Sequence, residues 1–445
     1  MEYTISMEPK YFESLYPVDA WDKELEKVVS FIKEGNSSQL IGLPGVGRSN
    51  ILGVLAYNKE IRLRHFPKHH GLVHFVMVNF SEVRRRPFSD VLKFIFLSLG
   101  TSLRERSMMV EYEKIDGMFK NALSYNDELV FSQQLKHAVE YLAIEKKLTI
   151  VMLCDKFDEY ISQVTDDFFV FLQSLEEKAK YRFIVIFSVA RALEETLEPQ
   201  ILSDFSDSVV GHQIYLPLLD QPSVDFRIHY LEKLVGKKLS PNQRSEILRL
   251  TGGHMRLLMV AIEAVLAAND PEQDMSTFLL SQKTMQLALK SLWASLTPEE
   301  QSDLQTSQFR EESTIYLQKI GLISEDKITI PLIETAMQQG LFKETEAKLV
   351  YDEATNTIKK GEVTFSDSLT KGEFRLLRYL LQHNDEVVER ETIVSIVWQE
   401  DKTSLGITDQ AIDQLIFRLR RKIEADPNHP QHLLTVKGRG VKFSA

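Results

Sequence analysis

The stretch Thr408-Asp-Gln-Ala-Ile-Asp-Gln-Leu-Ile-Phe-Arg-Leu-Arg-Arg-Lys-Ile423 reads as one amphipathic helix with two different faces. Ile412, Leu415, Leu419 and Ile423 recur at helical spacing and predict the face that enters a core. The other face offers Gln410, Gln414, Arg418 and Arg421, a ridge of amides and guanidiniums. In the major groove an amide pairs bidentately with adenine and a guanidinium with guanine. Upstream, Thr370 opens a helix running through Gln382, and Glu373 three residues on completes a capping box. Phe374, Leu377 and Leu380–Leu381 form its buried stripe. A second helix is predicted from about Arg390 to Trp398. Downstream, Leu434–Phe443 reads as two short strands around Gly438-Arg439-Gly440. That hairpin holds Lys437, Arg439 and Lys442 where a wing reaches phosphates or the minor groove. Three helices and a hairpin make a winged helix-turn-helix.

The ordered blocks Leu369-Thr-Lys-Gly-Glu-Phe-Arg-Leu-Leu377, Val397-Trp398, Ala411-Ile-Asp413, Arg418-Leu-Arg-Arg-Lys422 and Thr435-Val-Lys-Gly-Arg-Gly440 resemble the OmpR/PhoB-type DNA-binding domain over about residues 348–445. The resemblance implies Gln410, Gln414, Arg418 and Arg420 on or near double-stranded DNA, with Lys437 from the wing. Two positions depart from the family pattern: Phe417 where a polar or basic residue is usual, and Val441 where the wing usually carries tyrosine. Phe417 suits a thymine methyl or a partner protein. Charge agrees with localised contact. From Lys402 onward eight Lys/Arg face four Asp/Glu, a balance of +4, so the preceding chain carries −15 of the net −11. A small basic end on an acidic body fits DNA contact at that end alone.

In this family a phosphoacceptor receiver usually precedes the winged helix. Here a different module stands there. Short apolar strands at Gln39–Gly42, Val73–Val78, Leu148–Cys154 and Phe183–Phe187 alternate with helical patterns, which predicts an α/β domain with a parallel sheet. The first strand runs into Gly42-Leu-Pro-Gly45-Val-Gly47-Arg48-Ser49, a P-loop spacing with Arg48 in place of lysine. Backbone N–H groups of such a turn wrap a phosphate, the helix behind adds favourable dipole, and Ser49 would hold Mg²⁺. The third strand ends in Asp155, which looks like a Walker B aspartate. The next residue in the resembling ATPases is usually glutamate; here it is Lys156, and an ammonium cannot polarise the attacking water. Glu159 is the possible substitute. Ser188 or Arg191, after the fourth strand, would sense a γ-phosphate. Thr251-Gly-Gly-His254-Met-Arg256 opens a lid helix that turns His254 or Arg256 toward nucleotide.

This order resembles the STAND and origin-recognition-like branches of AAA+ ATPases over about residues 15–345. The resemblance implies a P-loop sheet domain (15–210), a helical lid (211–284) and a small winged helix (285–345), to which the OmpR/PhoB-type match adds the terminal winged helix (348–445), with Glu344–Ala347 read as linker. It implies ATP or ADP with Mg²⁺ as ligand, and a nucleotide-dependent homo-oligomer. Both substitutions fall on residues tied to hydrolysis, so the expected function is a DNA-binding regulator that senses nucleotide with little or no turnover. RNA polymerase or another signalling protein is the expected further partner. Two alternatives remain: an active NTPase remodelling DNA or protein complexes, with Glu159 catalytic, and a winged-helix scaffold in a defence or signalling complex.

Composition narrows the setting. A chain of 445 residues with 43% hydrophobic and 26% charged residues belongs to the ordinary globular class. No apolar run reaches the length of a membrane span, and no signal peptide is visible. Cys154 is the single cysteine, which excludes an internal disulfide and fits the cytoplasm. Four features are set aside. His65, His69, His70 and His74 read as a solvated loop without a carboxylate partner, Arg84-Arg85-Arg86 as a solvated face, Cys154 as an inert core thiol, and Asp166-Asp167 with Glu176-Glu177 as helix surface.

Overall fold

The computed structural model describes residues 11–444 apart from 69–70, 126, 269–273, 343–348, 361–362, 399–407, 425–426 and 428–429. The Glu344–Ala347 linker, His69 and His70 lie outside the described residues. The chain forms two compact units, and the lid segment contributes to both. Among the described residues no helix is long and apolar enough to cross a membrane.

The first unit runs as far as Phe157 and includes Thr165–Asn242 and Gly253–Ala267. Its centre is a parallel sheet of β1 (Ser38–Ile41), β2 (Val73–Asn79), β3 (Thr149–Asp155), β4 (Phe183–Val189) and β5 (Gln213–Tyr215), in the order β2-β3-β4-β1-β5. The four apolar runs are β1 to β4; β3, β4 and β1 are the inner strands, β2 is an edge, and β4 is buried along all seven residues. A strand with neighbours on both sides and both faces covered must be apolar throughout. β5 was not legible, because Gln213-Ile-Tyr215 buries only Ile214. Between β2 and β3 the chain inserts three helices, Phe88–Glu105, Met109–Tyr125 and Glu128–Glu140.

Two of the four histidines correct the solvated-loop reading. His74 is buried within β2, where its Nε2 lies 2.8 Å from Ser102 Oγ. His65 is buried at a helix end, and Asp22 Oδ1 lies 3.5 Å from its Nε2, so it does meet a carboxylate. The partner is 43 residues away in sequence and could not be seen there. Cys154 is fully buried in β3, and desolvation pushes its thiol pKa well up, as expected of an inert core residue.

The second unit comprises Asp158–Val164, Gln243–Gly252 and the chain from Ala268. A small winged helix is built from Lys283–Ala294, Pro298–Thr306, Glu311–Lys319, a hairpin of β6 (Ile323–Ser324) and β7 (Lys327–Ile328), and Pro331–Gln338. Beyond it, β8 (Leu349–Asp352), β9 (Thr357–Lys360) and β10 (Val363–Thr364) form an antiparallel sheet. Then come helices Lys371–Gln382, Arg390–Val397 and Asp409–Ile423, with β11 (Val387–Glu389) pairing into the terminal hairpin of β12 (Leu433–Val436) and β13 (Gly440–Phe443). Leu376, Leu377, Leu380, Ile393, Val397, Leu415, Leu419, Leu433 and Phe443 make one core from all three helices and the hairpin.

Candidate nucleotide site and DNA interface

The P-loop begins where β1 ends. Gly42 N–H donates to Val189 O of β4 at 3.2 Å, which ties the turn to the neighbouring strand. Gly47 then N-caps the helix Arg48–Tyr57 without any side-chain cap. Such a helix end presents backbone donors to an anion. Ser49 Oγ donates to Asp155 Oδ1 at 2.7 Å, so residues 106 apart in sequence meet at the head of the sheet. A hydroxyl and a buried carboxylate are the oxygen donors that Mg²⁺ takes in such sites. Glycine cradle, uncapped helix and oxygen pair fit a nucleotide with Mg²⁺.

The lid helix Met255–Ala267 closes on the same turn. His254, buried beside it, donates from Nε2 to Pro44 O at 3.1 Å, and Arg256 N–H donates to Gly45 O at 3.0 Å. Gly45 has φ +87°, and a Cβ there would lie 2.8 Å from Arg256 Cβ and 3.1 Å from His254 Cε1. Only glycine allows this approach. The lid helix thus meets the P-loop through the main-chain carbonyls of Pro44 and Gly45.

Burial pushes the His254 pKa down to about 4 and that of His74 down to about 3. Each histidine is neutral when folded and binds a proton near 6.5 when unfolded. Their stability contribution is therefore complete above pH 6.5 and declines as pH falls toward the folded values. Between pH 7 and 5 the expected loss is on the order of 1–2 kcal/mol for each. Urea midpoints across that range measure it. His254→Gln keeps a terminal N–H donor without the titration, and should flatten the slope; an unchanged slope would place the effect elsewhere.

The other expected positions divide. Ser188 is buried within β4, paired with Leu40 of β1, and Arg191 is half-buried just beyond that strand. Lys156 is exposed at the end of β3, with a left-handed φ of +53°. Glu159 closes the short helical turn Phe157–Glu159, and its segment Asp158–Val164 belongs to the second unit.

In the terminal winged helix the capping box forms as read: Glu373 N–H donates to Thr370 Oγ1 at 3.3 Å, and Thr370 N–H to Glu373 Oε2 at 2.8 Å. Thr408 N-caps the recognition helix Asp409–Ile423. Gln410, Gln414, Phe417 and Arg421 lie exposed along it. A surface cavity of about 380 Å³ is lined by Asp413, Gln414, Phe417 and Arg418. Lys437 and Arg439 are exposed at the tip of the wing.

Several cations prove to be committed within the domain. Arg420 donates twice to Leu433 O, at 2.9 and 2.7 Å, and once to Thr435 Oγ1 at 2.7 Å, bracing the helix against the wing. Lys442 pairs with Asp385 at 3.0 Å. Arg418 is only 21% exposed, with Nε 3.9 Å from the buried carboxylate of Glu373. Arg390 pairs with Asp409 at 3.1 Å and Asp413 at 2.6 Å. Sequence reasoning also missed Glu424, a buried acid that accepts the N–H groups of Gln431, His432 and Leu433. A buried acid just after a helix rich in cations was the available signal.

Residues 367–443 match the family described as transcriptional regulatory protein, C terminal. Among solved structures the chain is similar to a Walker-type ATPase of Pyrococcus abyssi, at 14% identity over 73% of this chain and 99% of that one, TM-score 0.42. It is also similar to Cdc6p from Pyrobaculum aerophilum, at 13% identity over 88% and 97%, TM-score 0.38. A third is the Orc1 protein of Aeropyrum pernix, solved in complex with DNA, at 11% identity over 76% and 87%, TM-score 0.36.

Proposed function

We propose that this chain is a DNA-binding transcription regulator whose P-loop module holds ATP or ADP and governs access to the terminal winged helix. The exposed stripe of Gln410, Gln414 and Phe417 on the recognition helix, with Lys437 and Arg439 at the wing tip, carries the reading. The helix would read base edges while the wing grips the backbone. Arg418 and Arg420 serve first as braces that fix the helix, so Gln414 is the better probe of readout. Gln414→Ala should lower discrimination at one base by about 1–3 kcal/mol. Lys437→Ala should weaken binding evenly across sequences and reduce the salt slope by about one. Footprinting on genomic fragments measures both. A Gln414→Ala protein with unchanged preference at every base would overturn the readout.

The turn from Gly42 to Gly47 and the start of the helix behind it would cradle the phosphates, with Arg48 adding charge. Ser49 and Asp155 would hold Mg²⁺, which neutralises phosphate charge when bound. Lys156 replaces the carboxylate that would orient water, so the site holds nucleotide rather than turning it over. His254 and Arg256 pass the state of the turn to the lid, a switch of the order–position kind seen in nucleotide-controlled proteins. Nucleotide-dependent self-association and contact with RNA polymerase are the outputs this arrangement supports. Denaturing the purified protein and chromatographing the supernatant should show ATP or ADP, absent from Asp155→Ala. Steady phosphate release at about 1 s⁻¹ or faster would favour an active NTPase instead.

A further inference from the structure

The recognition helix ends in three consecutive cations, and each is held by a different element. Arg420 reaches Leu433 O of the wing, and Lys422 Nζ lies 2.6 Å from Glu373 Oε2 on the helix Lys371–Gln382. Arg421 Nε lies 4.0 Å from Glu299 Oε2. The first two partners belong to the same winged helix. Glu299 belongs to the small winged helix, whose helix Pro298–Thr306 packs against the recognition helix.

Arg421 shares its face with the base-reading candidates. Gln410, Gln414, Phe417 and Arg421 follow one another at four, three and four residues, which is a single stripe of a helix. A duplex laid along that stripe would run into the place where Glu299 and its helix now sit. The carboxylate also stands where a phosphate would, since a guanidinium grips either anion in the same way. The neighbouring acids have partners within the small winged helix. Glu300 Oε2 accepts Thr297 N–H at 2.8 Å, and Asp303 Oδ1 pairs with Arg310 Nε at 2.8 Å, so both serve the small winged helix itself. Among the described residues, Glu299 is the acid of this helix that pairs with the recognition helix.

We propose that the helix Pro298–Thr306 covers part of the DNA surface, and that Arg421 exchanges Glu299 for a backbone phosphate when duplex binds. The small winged helix is thereby an internal competitor for DNA. Arg421 is 51% exposed and Glu299 22%, and ion pairs in such settings are weak. The cover therefore tunes affinity and yields to DNA, which suits a device that a lid movement can release. This proposal rests on the DNA-binding reading.

The chain's single cysteine is fully buried, so an introduced pair reacts alone. Glu299→Cys with Arg421→Cys in the full-length protein is treated with a short bis-maleimide, and duplex binding is compared for the bridged and unbridged forms of that same protein. Bridging should proceed under native conditions and lower affinity at least tenfold. Failure to bridge, or equal affinity of the two forms, would overturn the cover. Glu299→Gln in the otherwise unaltered chain should raise affinity about two- to fivefold, and unchanged affinity would count against the proposal equally. Absence of duplex binding by the unaltered chain at low salt would instead overturn the DNA reading, and the cover with it.

Discussion

Gly440→Ala is expected to open the wing and abolish duplex binding. Gly440 begins β13, the central strand of its sheet, opposite Glu389 of β11 and Val436 of β12. Its φ is +154°, and a Cβ placed there would lie 2.0 Å from Val388 O and 2.9 Å from Val388 C. Those neighbours are backbone, so no rotamer change relieves the clash. Either β13 leaves β11, or β11 shifts with the helix that follows it. Overpacking and a strained backbone together should destabilise the domain by roughly 3 kcal/mol or more. The wing tip carries Lys437 and Arg439, so their approach to phosphate is lost with the hairpin. Gly438 is the internal control. Its φ is +72° with nothing within 4 Å of a built Cβ, so Gly438→Ala should cost only about 1 kcal/mol. Hydrogen exchange at Leu434 and Val441, with denaturation monitored in parallel, separates the two. A Gly440→Ala protein as protected as Gly438→Ala would contradict the observed register.

The contrast between those glycines was not legible in Gly438-Arg439-Gly440, which announces a turn and nothing about what lies across it. The same boundary runs through the molecule. Helical period and a capping box are local, so Ile412, Leu415, Leu419 and Ile423 were placed in the core from spacing alone, as were Phe374 and Leu377. Apolar strands are local too, which is why the four longer strands of the parallel sheet were readable while Gln213–Tyr215 was not. The insertion from Phe88 to Glu140 escaped because its helices fall between two strands and the alternation reads the same without them.

At the nucleotide site, motif spacing named Ser49 and Asp155, and the structure joins them at 2.7 Å. The Gly-Gly-His254 motif pointed that histidine toward the nucleotide turn, but its grip on Pro44, 210 residues away, has no local signature of its own. Charge shows the limit most clearly. The terminal segment counts eight cations, but a count does not say which are already engaged. Arg420, Lys422 and Lys442 find carbonyls or carboxylates inside the domain, because the chain returns past them from elements far away in sequence.

Glu373 concentrates that effect, and Glu373→Ala should be among the most damaging changes in the terminal domain. The residue is fully buried. Its Oε2 accepts from Thr370 N–H at 2.8 Å and from Lys422 Nζ at 2.6 Å, while Arg418 Nε stands 3.9 Å from Oε1. One carboxylate thus caps the helix Lys371–Gln382 and anchors two cations of the recognition helix. Alanine would remove the cap and leave both cations in a poorly solvated place, and breaking a buried pair from one side costs about 3–5 kcal/mol. The recognition helix would lose its seat, so duplex affinity should fall well over tenfold in whatever fraction stays folded. Glu373→Leu combined with Lys422→Met and Arg418→Met tests the cause. Apolar side chains of similar volume remove the charge imbalance, and recovery of at least half the lost stability would assign the damage to the stranded cations. A combined variant as unstable as the alanine would assign it to the lost cap, since the leucine cannot accept the N–H of Thr370. Either outcome decides whether the recognition helix is positioned by charge pairing beneath it or by the rigidity of the helix on which it rests.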